Sequence, residues 1–396
     1  MTQIDISNIY EKKNIPSKLL RYGIIILSIG IILSILSFLL DPARASFNTI
    51  IIFTFVYSIG ICSLFLVALE YLAGAVWSVP FRRISEILAA LLIFAPILAL
   101  PVIVNPHFTF HWSNLETVTK DAILSVKTPY LNMTFFIIRN LAIFLIAIIF
   151  FYFITRNSGK QDLNPKQSYT KANLTLSGAF IPFFAISVTI LAVDWLMSLE
   201  PHWFSTIFGV YYFSGSLLAA LAALTLIAVI LQQNGYLMKG LGRDHFYSLG
   251  ALLFAFTNFW AYIAFSQFLL IWYANLPEET TWFMGRWEGN WKFITIGIML
   301  ARFIIPYIAL LTQPSKSDLK RLKLVSIWIL FSHLYDMYWL TMPNFNHSGI
   351  VIGWQEFAFP FVGIGLIILV FYFFAKNKNM VPIGDPKLKR TIDFHL

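Results

Sequence analysis

The chain has 396 residues, of which 58% are hydrophobic and 12% charged, and its formal net charge is +9. Its mean hydropathy of +0.74 excludes a soluble globular protein and predicts a polytopic helical membrane protein. Its single cysteine, Cys62, excludes an intrachain disulfide, a cysteine-ligated iron–sulfur cluster and a Cys-x-x-Cys-His haem attachment site.

Apolar runs predict the membrane spans. Crossing a hydrocarbon core of ~30 Å takes about 20 apolar residues, and no alternating strand pattern competes with this interpretation. The first run follows a polar and basic segment and is too long for a cleaved signal peptide, so it is predicted to remain in place. We predict an all-α integral membrane protein of about ten spans: Leu19–Leu40, Phe47–Leu69, Ile84–Val104, Tyr130–Ile154, Leu174–Met197, Ile207–Leu231, Phe246–Tyr273, Phe293–Leu311, Leu322–Met342 and Gln355–Ala375.

Lysine and arginine are distributed very unevenly between the two faces. We call the face that carries the termini side A and the other face side B. Twenty-one of the 28 Lys and Arg residues fall on side A and five on side B, while Arg139 and Arg302 lie inside spans. The positive-inside rule therefore predicts that both termini are cytoplasmic. This asymmetry accounts for the net charge, so no nucleic-acid partner is predicted.

The domain organisation follows from these spans. A single polytopic membrane domain, 19–375, is predicted between a cytoplasmic N-terminal tail, 1–18, and a cytoplasmic C-terminal tail, 376–396. Only His333 lies well inside a span, so the sequence offers no facing pair of axial haem ligands. We therefore predict that the chain binds no metal or covalent cofactor. In any redox role a quinone or a neighbouring subunit would have to hold the electrons.

The two halves of the chain share a pattern that indicates an internal repeat. The fifth span ends with DWLMSLEP and the ninth with DMYWLTMP, so Asp194 and Asp336 each stand seven residues before a proline. The spans before them carry Arg139 and Arg302. Both Asp-bearing spans run from side A to side B, which predicts two four-helix bundles of parallel topology. Bundle one covers spans two to five, about 47–198, and bundle two covers spans six to nine, about 207–342.

The charges inside the spans are expected to pair. A lone charge at the bilayer centre costs roughly 2.5 kcal/mol or more, so we predict contacts between Arg139 and Asp194 and between Arg302 and Asp336. These pairs could be purely structural ties, or they could belong to a proton path. The sequence leaves both interpretations open.

Three further residues are candidates for the same path. His333 stands three residues before Asp336 and shares a helix face with it, and imidazole and carboxylate groups together can relay protons. Glu70 and Glu86 lie near the side A ends of their spans, where they could complete a path. The alternative is that these two carboxylates are simply solvated.

Tryptophan is concentrated at side B. An interfacial belt would be expected at both faces, so a one-sided excess predicts contact with another protein, with the belt as the alternative. The docking candidates are Trp112, in the 105–128 region, and three residues of the loop that follows the seventh span: Trp282, Trp287 and Trp291.

Three segments resemble one family. They are Phe259–Phe283 (FWAYIAFSQFLLIWYANLPEETTWF), Asp194–Gly215 (DWLMSLEPHWFSTIFGVYYFSG) and the FFIIRN stretch around Arg139. The chain resembles the ActF-like membrane subunit of bacterial alternative complex III, a quinol:cytochrome c (or direct-to-oxidase) oxidoreductase whose membrane subunits belong to the NrfD-like group. The resemblance implies two four-helix bundles flanked by additional spans, in the bacterial inner membrane.

The resemblance also implies partners. In that family the subunit lies beside a related ActC-like subunit, beneath periplasmic subunits that carry iron–sulfur clusters and c-type haems, and it can associate with a terminal oxidase. The main quinol site is expected in the ActC-like neighbour, and proton pathways have been proposed through both membrane subunits. The implied role here is a cofactor-free subunit that supports proton conduction or quinone access and is not catalytic alone.

Two alternatives remain beside this expectation. A secondary transporter would suit ten spans with an internal repeat, although Pro96, Pro182 and Pro306 are the only strong interruptions that the sequence shows. A purely structural scaffold in the same complex would differ only in whether the buried acids exchange protons.

Overall fold

The computed structural model describes residues 10–395, and within that range the chain folds into helices without any strand. Residues 1–9 of the predicted N-terminal tail, and Leu396, lie outside the described residues. The ten long helices are α1 Ser17–Leu40, α2 Pro42–Ala73, α3 Val79–Val104, α4 Met133–Leu163, α5 Gln167–Trp195, α6 Phe208–Gln233, α7 Arg243–Ala274, α8 Trp291–Leu310, α9 Leu319–Thr341 and α10 Trp354–Ala375.

Nine helices in the described part of the chain are long and apolar enough to cross a membrane. This confirms the predicted class, an all-helical multi-pass membrane protein. The exception among the ten is α9, which coincides with the predicted ninth span. It is less apolar because it carries Lys323, Ser332, His333 and Asp336, the residues that drew attention to it in the sequence.

Helices α2 and α6 form the centre of the molecule. They pack against each other, and α2 also contacts α3 and α5, as α6 contacts α7 and α9. Helix α4 packs on α5, and in the same way α8 packs on α9. Helix α2 also contacts α9, and α6 contacts α5. The helices α2–α5 and α6–α9 therefore share one pattern of neighbours. Helices α1 and α10 pack on each other and flank α2.

The central helices can be buried because their polar groups are satisfied locally. In α2 the hydroxyls of Thr49, Thr54 and Ser58 donate to backbone carbonyls three or four residues earlier. In α6 the run from Gly215 to Ala223 is rich in small residues, and small residues allow close approach of helix backbones in a membrane.

Two of the predicted spans are interrupted. Helix α3 contains a 3₁₀ segment at Ala90–Phe94, and α8 contains a π turn at Leu300–Ile304. Each precedes a proline, Pro96 or Pro306, which has no N–H to donate to the carbonyl four residues earlier. Helix α5 passes Pro182 without a break. Of the three prolines that the sequence marks as interruptions, Pro96 and Pro306 therefore follow an irregular turn and Pro182 does not.

The C-terminal segment 376–395 packs against the side A ends of the helices. Its buried residues include Val381, Asp385 and Leu388. The N-terminal segment meets it, since the Tyr10 hydroxyl accepts a hydrogen bond from the Met380 amide at 2.7 Å. Both terminal segments therefore lie at the same end of the molecule, and residues 376–395 are part of the folded body.

Replacing Gly30 with valine is expected to loosen the α1–α10 pair, because a Cβ at this position would lie 2.6 Å from the backbone nitrogen of Val362. The expected loss is about 1–3 kcal/mol of unfolding free energy, measured by SDS titration of the purified chain in mixed micelles. Gly178→Val is the matched control, since a Cβ at Gly178 would meet no atom within 4 Å. Equal stability of the two variants would contradict this packing.

Candidate functional site

The first predicted ion pair joins α4 to α5 near side B. Arg139 Nη2 donates to Asp194 Oδ1 at 2.9 Å, and Arg139 Nε donates to Asp194 Oδ2 at 3.1 Å. Both side chains are buried. The predicted contact is confirmed, in the bidentate form that matches a planar guanidinium to a carboxylate.

Three neighbours complete this cluster. The Asn140 side-chain amide donates to Asp194 Oδ2 at 3.1 Å, and the Tyr130 hydroxyl donates to Oδ1 at 3.0 Å. The Trp195 indole donates in turn to the Asn140 carbonyl oxygen at 2.7 Å. Burial raises the pKa of Tyr130 to about 12, so the hydroxyl keeps its proton and remains a donor. Each carboxylate oxygen of Asp194 has two donors, which is the arrangement of a structural tie.

The second predicted ion pair joins α8 to α9 and is much looser. Arg302 Nε lies 3.3 Å from Asp336 Oδ2, and the two atoms make no hydrogen bond. Arg302 Nη2 instead donates to His333 Nδ1 at 2.9 Å. The other oxygen of Asp336, Oδ1, accepts from the Tyr211 hydroxyl at 2.6 Å. The predicted contact is present, but the histidine shares the arginine with the aspartate.

Hydrogen bonding fixes the state of His333. A guanidinium can only donate, so Nδ1 of the ring must accept, and the ring proton must then be on Nε2. That nitrogen lies 2.9 Å from the Ser58 hydroxyl, which donates at 2.7 Å to the carbonyl of Phe55. His333 is therefore neutral in this arrangement, and it links α8 and α9 to the central helix α2.

The second cluster contains buried polar atoms without hydrogen-bond partners. They are Arg302 Nε, Arg302 Nη1 and Asp336 Oδ2, in side chains that are completely or almost completely buried. Buried polar groups are nearly always paired, so such atoms call for bound water or for a second arrangement of the same side chains. In the first cluster, by contrast, both oxygens of the Asp194 carboxylate already have their hydrogen-bond donors.

The position of Arg302 follows from its surroundings. It lies in the π turn of α8, and π turns change the direction in which a side chain leaves a helix. The guanidinium faces the indole of Trp260 at 4.8 Å and packs on Gly215 of α6. A glycine on the central helix therefore makes room for a buried cation.

A third charged cluster lies at side A. Arg82 contacts Glu70 at 2.9 Å and Asp385 at 2.6 Å, and Arg83 contacts Glu86 at 2.6 Å. Arg83 also contacts Asp162 of α4, at 2.5 Å. The carboxylates of Glu70 and Glu86 are thus buried in ion pairs, and the alternative that they are solvated is wrong.

This side A cluster is separate from the second one. Glu70 and Ser58 both lie on α2, twelve residues apart, which is about 18 Å of helical rise. The structure therefore brings Asp336, His333 and Arg302 together but leaves Glu70 and Glu86 with other partners. Arg83 and Arg82 stand three and four residues before Glu86, and this helical spacing is the sequence signal that could have predicted their pairing.

Three of the four tryptophans predicted to dock a partner are buried within the chain. Trp112 donates to the carbonyl of Ser198 at 3.2 Å, and Trp282 lies under the Arg286 guanidinium at 3.6 Å. Trp291 is fully buried. Their rings fill the side B end of the protein, which argues against direct docking. The fourth, Trp287, is 56% exposed.

The helices and the buried polar clusters define a polytopic membrane protein with three charged clusters inside an apolar body and further ion pairs at Arg286–Glu200 and Arg44–Glu356. Comparison with models of known protein families and with curated proteins gives no match. The function is therefore argued from the residues themselves.

Replacing Asp194 with asparagine is expected to destabilise the chain by about 3–5 kcal/mol, because Arg139 would keep a buried charge without a carboxylate. Combining this change with Arg139→Met removes both charges and is expected to recover most of the loss. SDS titration of the purified variants measures both effects. A double variant no more stable than the single one would show that the pair is not the source of the loss.

Proposed function

We propose that this chain is an ActF-like, NrfD-like membrane subunit of a quinol-oxidising respiratory complex of the alternative complex III type. The resemblance of Phe259–Phe283 and Asp194–Gly215 to that family supports the proposal. So does the shared pattern of neighbours in α2–α5 and α6–α9, which agrees with two four-helix bundles flanked by α1 and α10. In this proposal the chain lies in the bacterial inner membrane with both termini in the cytoplasm.

The observation that carries a functional role, beyond anchoring, is the incompletely bonded cluster of Arg302, His333 and Asp336. A carboxylate and an imidazole lie on one face of α9 with a guanidinium between them, and three buried atoms lack partners. An imidazole and a carboxylate that share one arginine can exchange protons when the arginine changes partner. We assign proton exchange to His333 and Asp336, and charge compensation to Arg302.

The Arg139–Asp194 pair is assigned a structural role, and the side A carboxylates are not. Arg139 and Asp194 tie α4 to α5, and their completed hydrogen bonds leave no site for an exchanging proton. Glu70 and Glu86 remain candidates for the cytoplasmic end of the path, because the side A cluster places four carboxylates around two arginines. Arg82, Arg83 and the nearby Lys378 supply three positive charges to four carboxylates, so a proton can be retained there.

Electrons in this proposal are carried by the neighbours. The partners are an ActC-like subunit, an iron–sulfur subunit, c-type haem subunits and, in some assemblies, a terminal oxidase. A quinone is the one small-molecule ligand that the proposal includes. The main quinol site is placed in the ActC-like neighbour, so the present chain supports quinone access and is not catalytic alone.

The test of this assignment is purification of the tagged chain from its native membrane in mild detergent. Mass spectrometry identifies what travels with it, and a redox difference spectrum reports haem. Recovery of iron–sulfur and c-haem subunits would support the respiratory complex. A colourless protein isolated alone, under conditions that preserve complexes, would contradict it.

Asp336→Asn is expected to lower proton translocation by the purified complex by about tenfold or more, while the complex keeps all its subunits. The reason is that a side-chain amide does not exchange protons in the pH range in which a carboxylate does. The measurement is quinol-driven pH change in proteoliposomes. Asp194→Asn is the matched variant in the other half, and it is expected to reduce the yield of assembled complex instead. Unchanged translocation by an intact Asp336→Asn complex would favour the scaffold function.

One observation favours the second candidate, a secondary transporter. Helices α3 and α8 are interrupted within the body of the protein, at Ala90–Phe94 and Leu300–Ile304, and broken helices mark substrate sites in many transporters. The parallel order of the repeat and the family resemblance favour the respiratory subunit. The same purification separates the two, since a transporter would not retain redox subunits.

A further inference from the structure

Arg302 has two acceptors within reach and donates to only one of them. Its Nη2 donates to His333 Nδ1 at 2.9 Å, whereas its Nε lies 3.3 Å from Asp336 Oδ2 without a hydrogen bond. In the other half of the molecule, Arg139 places two hydrogen bonds on its aspartate. The Arg–Asp pair is therefore closed in one half, with two hydrogen bonds between the residues, and open in the other, with none.

Two residues of α6 hold Arg302 in its present position. The Tyr211 hydroxyl donates to Asp336 Oδ1 at 2.6 Å, so this carboxylate oxygen is satisfied without a hydrogen bond from Arg302. One helical turn later, Gly215 leaves the space that Arg302 Nη2 fills, and a Cβ at this position would overlap that atom. Both residues lie on the same face of α6, directed at the ion pair.

We propose that Arg302 is shared between His333 and Asp336, and that Tyr211 and Gly215 act as positioning residues that decide which of the two it serves. In the alternative arrangement the guanidinium donates two hydrogen bonds to Asp336. His333 Nδ1 is then free to accept a proton. The inference deepens the proposed role of this cluster and rests on it.

The groups around His333 explain why the two arrangements exclude each other. Arg302 of α8 faces Nδ1, and Ser58 of α2 accepts from Nε2. Asp336 lies one turn away on α9, and Tyr211 of α6 reaches the site through that carboxylate. A proton on Nδ1 would point at a guanidinium N–H, so a protonated ring and the present Arg302 position cannot coexist. The π turn gives α8 a local irregularity in which the arginine can move.

The experiment is ¹⁵N NMR of the full chain, labelled at histidine and reconstituted in lipid nanodiscs at neutral pH. His333→Gln assigns the resonances of His333. The wild type is expected to show a ring protonated at Nε2 with a hydrogen-bonded Nδ1. Tyr211→Phe leaves the buried Asp336 Oδ1 without its donor, which favours donation by Arg302 to Asp336. The variant is therefore expected to reduce the population of the Nε2-protonated form with a hydrogen-bonded Nδ1 roughly tenfold, the effect of one hydrogen bond to a charged group.

Two further variants test the direction. Gly215→Ala is expected to act like Tyr211→Phe, because the added methyl group displaces Arg302 from its present place. Asp336→Asn removes the competing carboxylate and is expected to leave the Nδ1 hydrogen bond intact. Tyr212→Phe is the matched control, since the Tyr212 hydroxyl donates to the Thr54 carbonyl of α2 and not to Asp336, and the wild-type spectrum is expected.

The proposal is overturned if Tyr211→Phe leaves the His333 resonances as in the wild type, or if Asp336→Asn abolishes the Nδ1 hydrogen bond. Tyr211→Phe introduces no steric overlap, so it decides the question even where Gly215→Ala fails to fold. The spectra require no partner subunit. Their failure is therefore distinct from failure of the respiratory assignment, which the purification tests.

Discussion

The desolvation of charge is the constraint on which the interior arrangement depends. Between helices surrounded by lipid the hydrophobic effect provides little attraction, so packing and polar contacts must hold them together. Arg139 and Asp194 tie α4 to α5, and Arg302 and Asp336 tie α8 to α9. At side A, two arginines tie α2, α3 and α4 to the C-terminal segment. Each buried cation thus connects elements that are separate in sequence.

The two intramembrane pairs differ because of the residues beside them. Asn140 follows Arg139, and its amide gives Asp194 a further donor while anchoring Trp195. Phe303 follows Arg302 and can donate nothing. The carboxylate of the second pair therefore depends on Tyr211 and shares its arginine with a histidine. The residue that follows each arginine, Asn140 or Phe303, is therefore one source of the difference between the two pairs.

Much of this arrangement could be predicted from the sequence. Hydropathy located the helices closely, and the seventh span, expected at 246–273, is part of Arg243–Ala274. The cost of unpaired charge predicted which arginine meets which aspartate. Hydropathy gives depth in the membrane but not direction around the helix, so it could not show that Trp282 faces inward. Ser58 was also missed, because a serine hydroxyl in an apolar helix usually bonds to its own backbone. Tyr211 was missed for the same reason as Trp282, since hydropathy does not give the direction in which its ring leaves the helix.

The location of the Arg302–His333–Asp336 cluster bears on the role proposed for it. Ser58 belongs to the first set of helices, α2–α5, yet it accepts the Nε2 proton of His333, which belongs to the second set. The cluster therefore lies where the two sets meet, and in repeat-built membrane proteins the interface between repeats is where substrate and ion sites are found. A change in the protonation of His333 alters bonds to α2 and α8 together, through Ser58 and Arg302. Proton exchange at this position would therefore change contacts between the two sets of helices. The Arg139–Asp194 pair lies within one set, so a change there would not alter contacts between the sets in this way.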